Sequence, residues 1–179
     1  MRSKIFILAV LVCLTELACV GNLDAGGFTP RRLHLALGTL GSLSATPGTI
    51  SFQATNPELG LVSGSSPGSL GWIVLSGSHA QNWTVSVQAG SSSFVGCPTI
   101  PISAIRVTCG AATVSGGAGT GACSGSFPLS TTPQQVAGGL EGTGTNSYSV
   151  SMNFTLAESW RYVANSACII TITYTVNAP

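Results

Sequence analysis

Tyr148-Ser149-Val150-Ser151-Met152-Asn153-Phe154-Thr155-Leu156 decides the fold class. Large apolar and small polar side chains alternate through this stretch without interruption. Period two belongs to a strand with one face in a core and the other in water. A helix would need apolar residues at spacings of three and four.

Two other stretches repeat the pattern. Trp83, Val85, Val87 and Ala89 alternate with Thr84, Ser86 and Gln88, and Cys168, Ile170, Ile172, Tyr174 and Val176 alternate with Ile169, Thr171, Thr173 and Thr175. Weaker strand signals lie at Thr49 to Ala54, Leu70 to Leu75, Ile102 to Cys109 and Ser126 to Leu129. Clusters such as Gly64-Ser65-Ser66-Pro67-Gly68, Gly116 to Gly121 and Gly138 to Gly144 read as turns between them,. No amphipathic helix is evident; Ala157 to Asn165 suits a single turn. The expected fold is all-β: an antiparallel β-sandwich of about seven or more strands, two sheets burying their apolar faces against each other.

A chain of 179 residues suits one such domain plus an export segment,. Charged residues are 6% and hydrophobic residues 44%, so the water-facing positions fall to Ser, Thr and Gly,. The net charge is +1 and Lys4 is the only lysine, which leaves no basic surface for nucleic acid,.

Arg2 and Lys4 precede an unbroken apolar run, Ile5 to Leu14, with the form of a signal peptide,. That run is too short to span a bilayer. Residues 1–25 are therefore read as a signal peptide and 49–179 as the sandwich domain. Between them, 26–48 holds Thr29-Pro30-Arg31-Arg32 and then the apolar stretch Leu33 to Ala45, which suits either a second apolar, export-like segment or a linker followed by a loosely packed first strand. Cys19 after Leu17-Ala18 allows a lipoprotein reading, although Glu16 stands where an apolar residue is expected. The expected location is secreted or cell-surface, without a transmembrane span.

Loss of the signal peptide removes Cys13 and Cys19 and leaves Cys97, Cys109, Cys123 and Cys168, for which an oxidising compartment favours disulfides,. Four cysteines allow three pairings. Cys109 and Cys123 are equidistant from Gly116-Gly117, which favours a cross-strand bridge there with Cys97 joined to Cys168. No C-x-x-C pair occurs and neither His34 nor His79 is near a cysteine, so no metal or cofactor is expected,.

Catalytic residue types are scarce. Only two histidines are available to activate a serine, and His79 lies in a loop-like Ser76-Gly77-Ser78-His79-Ala80 stretch,. For a glycosidase-type pair the mature chain offers Glu58, Glu141 and Glu158, joined by Asp24 if cleavage precedes it, and they read as ordinary loop charges,. Gly116-Gly117-Ala118-Gly119-Thr120-Gly121 lacks the Gly-Lys-Ser/Thr ending of a phosphate cradle,. A non-catalytic protein is expected.

Two stretches resemble the WxL-type bacterial cell-surface domain. Trp72-Ile73-Val74-Leu75, a Gly/Ser loop and Asn82-Trp83-Thr84-Val85-Ser86-Val87 are similar to its first tryptophan motif, with valine in place of leucine after Trp83-Thr84. Ile172-Thr173-Tyr174-Thr175-Val176-Asn177-Ala178-Pro179 is similar to its distal motif, with Tyr174 and Val176 in place of tryptophan and leucine. The resemblance implies a β-rich module that associates with peptidoglycan.

The leading expectation is thus an exported binding module, its partner a cell-wall polymer or another surface protein. Trp72, Trp83, Tyr174 and Trp160 are the candidate binding residues, acting as a face or as the core beneath one. Trp83 and Trp72 suit the core, and Trp160 suits an exposed position. The alternative is a subunit of a pilus or surface fibre that self-associates by strand addition, because Cys168 to Val176 is long, alternating and terminal,. An unusual hydrolase is the third reading.

Overall fold

The computed structural model describes residues 27–35, 40–46, 49–52, 60–77, 81–159, 162 and 168–178, with side chains described from Ser44 onward except Ser76. In chain order the strands are β1 (Gly27–Leu35), β2 (Leu40–Thr46), β3 (Ile50–Ser51), β4 (Leu61–Ser63), β5 (Gly68–Gly77), β6 (Asn82–Ala89) and β7 (Ser93–Phe94). They continue with β8 (Cys97–Pro101), β9 (Ile105–Ser115), β10 (Ala122–Cys123), β11 (Ser126–Pro128), β12 (Gln134–Leu140), β13 (Gly144–Ala157) and β14 (Thr171–Asn177). A 3₁₀ turn, Ile102–Ala104, leads into β9.

The strands form two main sheets. The first runs β10-β12-β6-β14-β1-β3 and the second β11-β9-β13-β5-β2, with β4 pairing the end of β13. β7 and β8 make a separate hairpin. Among the described residues every ladder is antiparallel except that between β1 and β14, which is parallel. The all-β, sandwich-like fold expected from alternation is the fold observed.

The three alternating stretches are the central strands. β13 lies between β9 and β5, and β14 lies between β6 and β1. From β13, Tyr148, Val150, Met152 and Phe154 are buried; they share one core with Trp83, Val85 and Val87 of β6 and Ile172, Tyr174 and Val176 of β14. Each such side chain contributes roughly 1.5–3 kcal/mol by leaving water. Ser147, Ser149 and Asn153, at the intervening positions of β13, are exposed.

Both disulfides staple separate parts of this framework. Cys97 bonds Cys168, tying the β7–β8 hairpin to the approach into β14, where Val95 and Ile169 also bridge. Cys109 bonds Cys123. The pairing is the one that spacing favours, but its geometry is different: Cys109 is on β9 of the second sheet and Cys123 on β10 of the first, so the bond joins sheets instead of neighbours in one hairpin.

Two expectations are corrected, and a further one falls partly outside the described residues. Residues 26–48 hold more than a linker and one first strand, because β1 and β2 from this stretch join the two different sheets. The weak signal at Thr49 to Ala54 yields only Ile50–Ser51 as strand, and residues 53–59 lie outside the described residues. Gly138 to Gly144 is not wholly a turn: β12 runs through Gly138 and Gly139 to Leu140. At Gly139 a Cβ would collide with the Thr120 carbonyl of the adjoining loop, so glycine serves close approach there, not reversal of the chain,.

Candidate functional site

Trp72 on β5, Trp83 on β6 and Tyr148 on β13 come together between the sheets. The rings of Trp72 and Tyr148 stack with centroids 5.0 Å apart and planes 7° from parallel. Trp83 meets both edge-on, at 5.4 Å from Trp72 and 5.6 Å from Tyr148. Offset stacking and edge contacts are the arrangements that aromatic quadrupoles prefer. Strand register explains the meeting: Tyr148 is paired directly with Trp72, and the inward face of β6 presents Trp83 from the other sheet.

Glycine-rich chain closes over these rings. Trp83 Nε1 donates to the Thr120 carbonyl at 2.9 Å, and Thr120 in turn is bound to Leu140 through both its N–H and its hydroxyl. The Thr143 N–H donates to the Gly117 carbonyl at 3.0 Å. Gly117 has φ near +50°, and a Cβ there would press on the Thr143 backbone. Asn146 Nδ2 donates to the carbonyls of Gly142 and Gly144, at 2.7 and 2.8 Å, while the Gly142 N–H donates to the Tyr148 hydroxyl oxygen. Trp72 Nε1 is enclosed without a hydrogen-bond partner.

These placements revise the aromatic candidates. Trp72, Trp83 and Tyr174 are respectively 1%, 0% and 4% exposed, so they are core and offer no surface to a polymer. Of the two roles that the sequence left open for these rings, a face or the core beneath one, their burial matches the core. Trp160 lies outside the described residues, as do Glu58, His79, Asp24 and Cys19. Glu141, read as a solvated loop charge, is fully buried, with its N–H donating to the Gln81 carbonyl at 3.0 Å. Sequence reasoning also passed over Asn146, which extends the inward face of β13 two residues before Tyr148 but is polar and so gives no apolar signal, and Tyr148 as the third ring, which alternation had placed on the inner face.

Burial shapes the titration of the phenols. It pushes Tyr174 well above the ordinary tyrosine value,. Tyr148 is also raised: burial acts most strongly, the Gly142 N–H works against it by favouring the phenolate, and the Glu141 carboxylate adds to the rise. Neither group is placed to serve as a base at neutral pH. Among the described residues, no group of three or more His, Cys, Asp and Glu gathers as a metal site.

The remaining unusual geometry lies at the margins of the sheets. β1 pairs β14 from Thr29↔Thr171 to Leu35↔Val176, with a register break between Pro30 and Arg32. Only Gly27 and Phe28 have a second partner strand, β3. The C-terminal strand therefore has no open edge of its own, since β6 fills one side and β1 the other.

No protein-family model, curated protein or solved structure matches this chain. The likeness to WxL-type domains thus rests on the residues quoted above. Among the described residues, no helix is long and apolar enough to cross a membrane.

Proposed function

We propose that this protein is an exported, non-catalytic structural subunit of the cell exterior that assembles by strand addition, with β1 as the strand that changes place. The observation that carries the reading is the β1–β14 ladder. β1 is the first described strand, its chief partner is the last, and that ladder is the one parallel pairing among the described strands. Parallel pairing is slightly weaker per residue than antiparallel pairing. If β1 leaves, β14 presents a row of unpaired backbone donors and acceptors, a template that β1 of another copy fits in the same register.

Export is supported by the signal-like N-terminus together with two disulfides,. The absence of catalysis is supported by the few acid and base side chains and by the burial of Glu141 and of the aromatic cluster. A peptidoglycan-binding face loses its main support with Trp72, Trp83 and Tyr174 in the core.

The test uses the oxidised chain beginning at residue 26 and a counterpart lacking Gly27–Leu35. The longer chain is expected to form linear oligomers that grow with concentration and time, visible by light scattering and electron microscopy. The shorter chain is expected to form none and to take up one labelled peptide of residues 27–35 per molecule. A longer chain that never forms linear species, with a shorter chain that ignores the peptide, overturns the proposal.

A further inference from the structure

The four margins of the two sheets differ in how they are protected. β10 has two residues and is stapled through Cys123 to β9. β11 has three residues and ends in Pro128. The margin formed by β1 and β3 carries Pro30, Arg31 and Arg32 along the part of β1 that β3 leaves uncovered. Shortness, proline, charge and covalent restraint are the devices that keep sheet edges from pairing with other chains.

β2 lacks these four, and a register break against β5 between Leu40 and Ser42 leaves residues 42–46 as its regular stretch. It is seven residues long, Leu40-Gly41-Ser42-Leu43-Ser44-Ala45-Thr46, without charge or proline. It is the last strand of its sheet and pairs only with β5 among the described residues. Ser44, Ala45 and Thr46 are all exposed.

We infer that the outer edge of β2 is a docking site for β2 of a second copy, the two strands running antiparallel about a twofold axis. A self-pair of this kind matches donors to acceptors automatically, because the same edge is presented from both sides. Uncharged residues along the strand leave nothing to repel, whereas like charges placed across a strand pair destabilise it. The second sheet of each copy then becomes one continuous sheet through the dimer. This contact is independent of β1 exchange: it uses the other sheet and gives a closed pair instead of a growing line.

Sedimentation equilibrium of the oxidised chain beginning at residue 26 tests it, with Ser44→Lys and Ser44→Glu as variants. When the joined strands are centred on Ser44, the middle of the regular stretch, the two position-44 side chains lie directly opposite each other, with Cβ atoms roughly 4.5–5.5 Å apart,. Each variant alone is expected to raise the dimer dissociation constant at least about tenfold, and their equimolar mixture at low salt to recover dimer. Linear oligomers built through β1 are expected to persist in either variant and to vanish when Gly27–Leu35 is removed, so the two assembly modes fail separately. A parent chain without a closed dimer at about 1 mM, the weak end of the affinity scale, overturns the inference. So does a Ser44→Lys chain, with its melting midpoint retained, that dimerises as well as the parent.

Discussion

Where Trp72, Trp83 and Tyr148 meet, the two sheets are joined through side chains whose ring centroids lie 5.0 to 5.6 Å apart, closed over by hydrogen-bonded glycine loops. Along β1, by contrast, the described contacts are backbone pairs to β14 and, for two residues only, to β3. The aromatic end depends on particular shapes at particular positions, so it resists substitution poorly and exchange well. A backbone ladder is indifferent to which copy supplies the strand. One part of the molecule is thereby suited to holding the fold and the other to sharing it.

Trp83→Ala is the substitution expected to separate these regions most clearly. It removes a fully buried ring and leaves the Thr120 carbonyl without its indole donor, at a cost of about 3–5 kcal/mol,. Removing Gly27–Leu35 is expected to lower the urea midpoint by less. If the deletion proves the more damaging in equilibrium unfolding, β1 is an integral part of the fold and the contrast collapses.

Disulfide removal sharpens the same contrast at somewhat smaller scale. Cys97–Cys168 closes a separation of 71 residues and Cys109–Cys123 one of 14. Chain-entropy arguments give about 4 kcal/mol for the first and about 3 kcal/mol for the second. The double alanine variant at Cys97 and Cys168 is therefore expected to unfold at lower denaturant than the one at Cys109 and Cys123. The first bond secures the approach to β14, so peptide uptake by the chain lacking β1 should fall with its loss.

The smallest expected effect is alkaline. Tyr174 and Tyr148 have folded-state pKa values raised above those of the unfolded chain, so the folded form retains its phenolic protons where the unfolded form has lost them,. Their contribution to stability is fully present below about pH 10, the ordinary tyrosine value, and declines as pH rises beyond it. Thermal melts should therefore begin to fall from about pH 10 upward, and Tyr174→Phe should make that fall shallower. An equally steep fall in the phenylalanine variant assigns the alkaline transition to other groups.

Much of this architecture is legible in single strands. The alternation in β6, β13 and β14 identifies both the strand state and the buried face, because one side chain in two must leave water for a sandwich to form. β12 was not legible: Gln134-Gln135-Val136-Ala137-Gly138-Gly139-Leu140 has turn-like composition, and its glycines answer to the Thr120 loop, a distant neighbour. Glu141 was misread for a related reason. A carboxylate beside glycines looks solvated until the chain folded around it is known.

By itself, the sequence determined the all-β class, the central strands and the scarcity of catalytic side chains, and among three open disulfide pairings it favoured the one observed. Those properties follow from local period and residue inventory. The tertiary structure alone decided that Trp72, Trp83 and Tyr148 converge beneath glycine loops, that Cys109–Cys123 joins two sheets, and that the first described strand lies parallel to the last while β2 pairs on one side only among the described residues. Each of these depends on which strands become neighbours, and strand neighbourhood is set by the burial of all the inner faces together.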